Sequence, residues 1–176
     1  MNHLATSKED ILAASRELIK ENGWTALSIR AVASRCSVSA GTISNYYESK
    51  ADLLSDTIES IWHEIFFHPE DEQVFHDVES CISWIYERLE YGNRQFPGFF
   101  SLHSFGFMRD EKTSGKKRMM KTWGHILNGL CEVLGNDPKV RADVFDQEFT
   151  EKKFADILFS LILVSMIRQD YDPSSV

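Results

Sequence analysis

Apolar residues recur at helical spacing almost throughout the chain. Ile11, Ala14 and Leu18 share one face of a first helix, predicted over about Ser7 to Asn22. Thr6 with Glu9, or Ser7 with Asp10, supplies a capping box at its start, and Asn22-Gly23 supplies its stop. Ile29, Val32, Ala33 and Cys36 stand at i, i+3, i+4 and i+7 on a short second helix, Ser28 to Cys36, with Arg30, Ser34 and Arg35 on its wet side. Ser39 is a good N-cap for a third short helix, Ala40 to about Tyr47. Ser49 and Asp52 cap a long fourth helix whose buried face reads Leu54, Ile58, Ile61 and Ile65 and which ends near His68-Pro69.

Residues 69–72 read as a loop. A helix follows from about Glu72 to Tyr91, with Val74, Val78, Cys81, Ile82, Ile85 and Leu89 inside and Gly92 ending it. Residues 95–108 form a dense aromatic stretch, and a polar loop runs from Arg109 to Gly115. Two more long helices are predicted, Lys116 to Leu134 and Thr150 to Gln169, separated by Gly135-Asn136-Asp137-Pro138 and the residues after it. The fold class is therefore all-α. A three-helix helix-turn-helix domain occupies 1–48 and a larger helical domain 49–176, with helix 49–68 connecting the two.

The third helix is unusual. Beyond Ile43 and Tyr47 it holds Ala40, Gly41, Thr42, Ser44, Asn45 and Tyr46, residues that are small or hydrogen-bonding and contribute little to a core. Such a rod suits the DNA major groove, where small residues permit close approach and polar tips read base edges. The same pattern is also what a surface turn between two amphipathic helices would show.

Composition adjusts this picture in a few places. The net charge of −8 speaks against a nucleic-acid binder unless the charge is segregated. Over residues 7–50, six cations (Lys8, Arg16, Lys20, Arg30, Arg35, Lys50) face five anions (Glu9, Asp10, Glu17, Glu21, Glu48), so that part is marginally basic and the acidity lies elsewhere. The sign is right for DNA, and the modest size predicts modest electrostatic affinity. Cys36, Cys81 and Cys131 are isolated and suggest neither a disulfide framework nor a zinc site. Nothing at the start reads as a signal peptide. The longest apolar run, Ile157 to Ile167, falls short of the roughly 20 residues a bilayer needs. A cytoplasmic protein with no membrane association is expected.

No catalytic pattern emerges. His63 and His68 are five apart and do not share a helical face as an i, i+4 pair would, and no GxSxG, P-loop or HExxH occurs. No enzyme activity, metal or cofactor is expected.

The string Val38-Ser39-Ala40-Gly41-Thr42-Ile43-Ser44-Asn45-Tyr46-Tyr47-Glu48-Ser49-Lys50-Ala51-Asp52-Leu53-Leu54 resembles the recognition segment of the TetR family of transcriptional regulators. Gly23 to Leu27 and Ser28-Ile29-Arg30-Ala31-Val32-Ala33 fit the upstream part, and the resemblance covers about residues 7–66. It implies that Thr42, Ser44 and Asn45 face bases, Asn45 pairing with adenine. It implies that Ser39, Ala40 and Gly41 lie close to the groove, and that Tyr46 and Lys50 bind phosphates with Ser28 and Arg30 as helpers. For Lys50 and Tyr46 the plain alternatives are a solvated helix-start lysine and a packing tyrosine. One departure stands out: Ser37 occupies the turn position where the family commonly has Gly, and a positive φ there would strain it.

The resemblance further implies a double-stranded, palindromic operator bound by a homodimer. It also implies a C-terminal ligand chamber and dimer interface. The run Ile157 to Ile167 is apolar nearly all round and must be covered; a four-helix bundle with a second copy does this, as would burial inside one monomer. Trp84, Phe100, His103, Phe107 and Trp123 are candidate lining residues for a small apolar or aromatic effector; each can equally be ordinary core. The expected function is a homodimeric repressor released by a small ligand. The alternative is a regulator whose C-terminal domain answers to a partner protein, which an exposed aromatic patch at 95–108 would favour.

Overall fold

The computed structural model describes residues 6–66, 75, 77–100 and 114–175, with backbone alone for 114–122 and 175. Among these residues no strand forms. The helices are α1 (Lys8–Asn22), α2 (Ile29–Arg35), α3 (Ala40–Ser44), α4 (Lys50–Phe66), α5 (Val78–Gln95), α6 (Ser114–Asn136) and α7 (Glu151–Arg168), with 3-10 turns at Trp24–Ala26 and Pro173–Ser175.

Side-chain caps fix most of the starts. At α1 the capping box uses Ser7 and Asp10: the Ser7 hydroxyl accepts from the Asp10 N–H at 3.1 Å, and the Asp10 carboxylate accepts from the Ser7 N–H at 2.8 Å. Ser28, Ser39, Asp77 and Thr150 cap α2, α3, α5 and α7 in the same sense, and Ser49 accepts from the Asp52 N–H at α4. Each such cap is worth about 1 kcal/mol. Gly23 ends α1 at φ 77.

Ile11, Ile19, Leu27, Val32, Ile43 and Leu53 are sealed in the N-terminal core around which α1, α2 and α3 are wedged. From there α4 runs into the C-terminal half, packing on α1, α5 and α6. Three ion pairs clamp it to α1: Lys8 Nζ to Asp56 Oδ2 at 2.6 Å, and Arg16 Nε and Lys20 Nζ to the two oxygens of Glu64, both at 2.9 Å.

Several expectations need correction. On α4 the innermost residues are Leu53, Ile61, Trp62, Ile65 and Phe66, whereas Leu54 and Ile58 are only half-buried. Packed on three sides, this helix has no single apolar stripe. The third helix is one tight turn, Ala40–Ser44, shorter than the stretch to Tyr47. Helix α5 begins at its Asp77 cap and continues through Gly92 to Gln95, so Gly92 does not end it. A Cβ on Gly92 would lie 2.6 Å from Ile65 Cδ1 and 3.0 Å from Phe100 Cζ. Gly stands there to let α4 and the turn after α5 approach, not to break the helix. The expected buried residues Cys81, Ile82, Ile85 and Leu89 are inside; Val74 and the predicted loop 69–72 lie outside the described residues.

Two polar staples close the C-terminal half. Asp137, buried after α6, accepts from the Val78 N–H at 2.9 Å and the Lys139 N–H at 2.8 Å, tying the end of α6 to the start of α5. The Tyr86 and Ser165 hydroxyls meet at 2.7 Å between α5 and α7. Helix α7 ends at a left-handed Gln169, with the Asp170 N–H donating to the Ser165 carbonyl. Among the described residues its apolar run is covered on one side only: Ile157, Leu161, Val164 and Ile167 are exposed.

Candidate nucleic-acid interface and effector cavity

The connection from α2 to α3 aims the third helix. Ser37 adopts φ 55, the Val38 N–H donates to the Ala33 carbonyl at 2.9 Å, and the Ser37 N–H donates to the Ser34 carbonyl at 3.1 Å. These two bonds form a Schellman turn, in which the left-handed position favours Gly. The departure noted in the sequence thus falls on a residue that does take the strained conformation. Arg35 and Glu21 share a two-pronged ion pair, both contacts 2.6 Å, that locks α2 to α1. The guanidinium holds the Glu21 carboxyl below its usual range.

Ile43 is sealed in the core while Ala40, Gly41, Ser44, Asn45 and Tyr46 are exposed. Helix α3 therefore hangs from one apolar anchor and turns its small, polar side outward. The Ser39 hydroxyl accepts from the Thr42 N–H and lies 3.0 Å from the Thr42 hydroxyl, so these two hold each other. The Ser44 hydroxyl donates to the Ala40 carbonyl at 3.1 Å. Ser28 accepts from the Ala31 N–H, which leaves its own O–H to donate outward. Arg30 and Lys50 are exposed. Tyr46 is 41% exposed, and its hydroxyl donates to the Thr6 carbonyl, fastening the segment before α1 beside α3. The structure thus brings the ten predicted DNA-facing positions to α3 and the helix starts flanking it.

Of the five predicted ligand-lining residues, the three that are described do not converge in the same way. A cavity of about 410 Å³ opens between the end of α4, α5 and α6. This is within the range of small-molecule sites. Its apolar walls include Phe66, Phe75, Trp84, Ile85, Ile126 and Leu130, with His125, Glu132 and Asn136 as polar groups. Phe75 and Phe66 meet the Trp84 ring at centroid distances of 5.3 and 6.0 Å. Trp84 is thus a wall. Phe100 belongs to a sealed aromatic cluster with Trp62 and Phe99, and Trp123 packs edge-on against Phe159 of α7. His103 and Phe107 lie outside the described residues. Of the 95–108 stretch, Phe96, Phe99 and Phe100 are buried rather than presented as a patch. The cavity residues missed in the sequence, such as Cys81, Ile85 and Leu130, stand on apolar helix stripes, where a wall and a core residue carry the same signal. Burial pushes the Cys81 thiol up to about 11.

Residues 11–57 match the sequence model of a family described as bacterial regulatory proteins, tetR family. No curated protein matches the sequence. Solved structures share the fold at low identity. A transcriptional regulator of Rhodococcus sp. Rha1 aligns with TM-score 0.67 and 19% identity, over 97% of this chain and 87% of that one. A TetR transcription regulator from Haloarcula marismortui aligns with TM-score 0.65 and 20% identity, over 94% and 88%. The transcriptional regulator FadR of Bacillus subtilis, solved in complex with stearoyl-CoA, aligns with TM-score 0.61 and 18% identity, over 96% and 92%. Among the described residues no helix is long and apolar enough to cross a membrane.

Proposed function

We propose that this chain, which carries the helix-turn-helix of the tetR family and has the fold of that family's regulators, is a cytoplasmic homodimeric repressor that leaves its operator when a small apolar ligand enters the cavity between α4, α5 and α6. The observation that carries the DNA-binding part is α3 itself, sealed by Ile43 and otherwise outward-facing, small and polar. Asn45 is the reader with the greatest reach, and Arg30, Lys50 and the O–H of Ser28 are positioned to bind phosphates on either side.

The cavity supports the ligand part. Phe66, one of its walls, is the last residue of α4, and Lys50, at the DNA-facing end, is the first. Seventeen residues of helix separate the two surfaces by about 25 Å. A ligand that displaces Phe66 tilts α4, and the Lys8–Asp56 and Glu64 ion pairs make the helix-turn-helix ride with it. In a dimer this changes the spacing of two recognition helices that must meet successive major grooves. The stearoyl-CoA bound by the Bacillus subtilis regulator supports an apolar effector in this fold.

The test is a binding titration on an operator selected from random duplexes. Lys50→Ala should weaken binding to all sequences and lower the salt slope by about one unit. Asn45→Ala should instead relax sequence preference at a cost of roughly 1–3 kcal/mol. A wild-type protein that selects no sequence, or an Asn45→Ala variant with equal losses on operator and random DNA, rejects the reading.

A further inference from the structure

The polar groups of the cavity are not scattered around it. His125, Glu132 two turns later and Asn136 one turn after that all stand on the cavity side of α6, while the rings of Phe66, Phe75 and Trp84 make up much of the remaining wall. Asn136 Nδ2 donates to the Glu132 carbonyl at 2.7 Å, which leaves Asn136 Oδ1 to accept from the cavity. Among the described residues no ion pair or hydrogen bond engages the Glu132 carboxylate. Both groups lie at the C-terminal end of α6, whose last turn holds no basic residue and whose terminal carbonyls add partial negative charge. This end of the cavity therefore presents acceptors only.

Described cations do not balance it. No Lys or Arg is among the described lining residues. Lys139, three residues beyond α6, is taken up by Asp77 and Glu79 at 3.1 and 3.7 Å. Arg88 lies over the Trp84 and Tyr91 rings, 5.8 and 5.9 Å from their centroids, and is not part of the lining. The Trp84 ring thus already carries a cation, which leaves a ligand's own charge to the α6 end.

We infer that the ligand of this cavity is a flat apolar molecule that carries a protonated amine, held by Glu132 and Asn136. The inference rests on the effector reading above and names the chemistry of that effector. An ammonium donates to the Glu132 carboxylate and to Asn136 Oδ1, and its attraction to the carboxylate is charge-assisted. The flat body lies against the Trp84 and Phe75 rings, whose centroids are 5.3 Å apart. Gly129, one turn before Glu132 on the same side of α6, leaves bare helix for that body, since a Cβ there would meet nothing within 4 Å. A carboxylate of the same shape meets a like charge at Glu132, an acceptor at Asn136 and the negative end of the helix dipole. The cavity therefore selects by sign as well as by shape.

Calorimetric titration of the full chain with naphthylmethylamine, naphthylmethanol and naphthylacetate, which share one apolar body, tests this. The amine should bind roughly 10-fold more tightly than the acid, with the alcohol between them. Added salt should shrink the preference, because Glu132 is exposed. Glu132→Gln, a surface change, should bring the amine down to the alcohol. Gly129→Leu should weaken all of them, which places the binding in the cavity. The inference is overturned if the acid binds as tightly as the amine, if Glu132→Gln keeps the ranking, or if Gly129→Leu binds as the wild type does. Operator binding measured alongside separates the two readings. An acid that binds best and releases the operator leaves the effector reading standing and removes this one. An amine that binds in the expected order without loosening the operator keeps this one and removes release. If none of the probes binds at millimolar concentration, the cavity holds no such ligand and the inference falls.

Discussion

Replacing Gly92 by Ala tests the reading that this glycine exists for space. Two effects oppose each other. Inside a helix, Ala gains about 0.5–1 kcal/mol over Gly because the unfolded chain gives up less freedom. Against this, the added Cβ would sit 2.6 Å from Ile65 Cδ1, 3.1 Å from Ile65 Cγ1 and 3.0 Å from Phe100 Cζ. Ile65 and Phe100 are 0 and 1% exposed, so neither can swing away into solvent. Forcing a methyl into packed surroundings costs about 1–3 kcal/mol. The net expectation is a loss of about 1–2 kcal/mol, or a melting temperature lower by about 2–8 °C for a chain of this size. Gly124 of α6 is the control: a Cβ there meets nothing within 4 Å, so Gly124→Ala should gain about 0.4–1 kcal/mol. Melting is followed at one protein concentration, because association shifts the midpoint. If Gly92→Ala melts at or above the wild type, the contact between α4, α5 and Phe100 has slack and the packing argument is wrong.

Ser37→Gly should stabilise by about 0.5–1 kcal/mol, because a side chain at φ 55 carries a steric cost that Gly does not; a lower urea midpoint would contradict this. The Asp77 carboxyl is held at about 2 by its hydrogen bonds to Ser80 and by Lys139. A lowered acid contributes fully above its unfolded value of 3.8 and loses that contribution as pH falls toward 2. Asp77→Asn, which keeps a capping oxygen, should therefore narrow its stability gap to the wild type across that window; a gap independent of pH would show that the charge plays no part. Cys81, buried on the cavity wall with its thiol raised to about 11, should alkylate about 100-fold more slowly in the native protein than in urea. An apolar cavity occupant should slow it further, and equal rates in both states would mean that the cavity wall is open.

The N-terminal half was legible because its signals are local. Ser7, Ser39 and Ser49 each act within three residues along the chain and form caps the spacing offered, Ser7 rather than Thr6 at α1, while Ser28, read as the first residue of the second helix, proves to be its cap. Ile43 could be recognised as the anchor of α3 because everything around it is small or polar. Legibility falls where burial depends on partners distant in sequence. Leu53 and Leu54 look alike in the chain, and only the packing of α1, α5 and α6 around α4 seals one and leaves the other half-buried. Gly92 has the appearance of a helix stop until Ile65, twenty-seven residues earlier, is seen against it. The cavity had no signature of its own, since Trp84 and Ile85 occupy the same α5 periodicity as the sealed Leu89.

The seam between the two halves constrains how they can move. Besides the continuous α4, the helix-turn-helix meets the C-terminal half at the turn after α5. There the Trp24 ring stacks on Phe99 with centroids 5.7 Å apart, its indole N–H donates to the Pro97 carbonyl at 3.2 Å, and Lys20 lies over the Phe96 ring. Phe99 in turn contacts Trp62, which stacks on Phe66, and Phe66 meets Trp84 at the cavity. Rings run in succession, centroids 5.3 to 6.0 Å apart, from the cavity wall to the helix-turn-helix, and packed interiors switch between discrete arrangements rather than yielding gradually. The ion pairs at Asp56 and Glu64 hold α1 on α4, whereas Trp24 is held on the α5 turn by one neutral hydrogen bond and one stack. The weaker side of the seam is therefore the Trp24 contact. On the proposed function, a displacement of α4 is expected to separate the helix-turn-helix from residues 96–100 before it separates α1 from α4, so that α3 turns as one body with the helix that reaches the cavity.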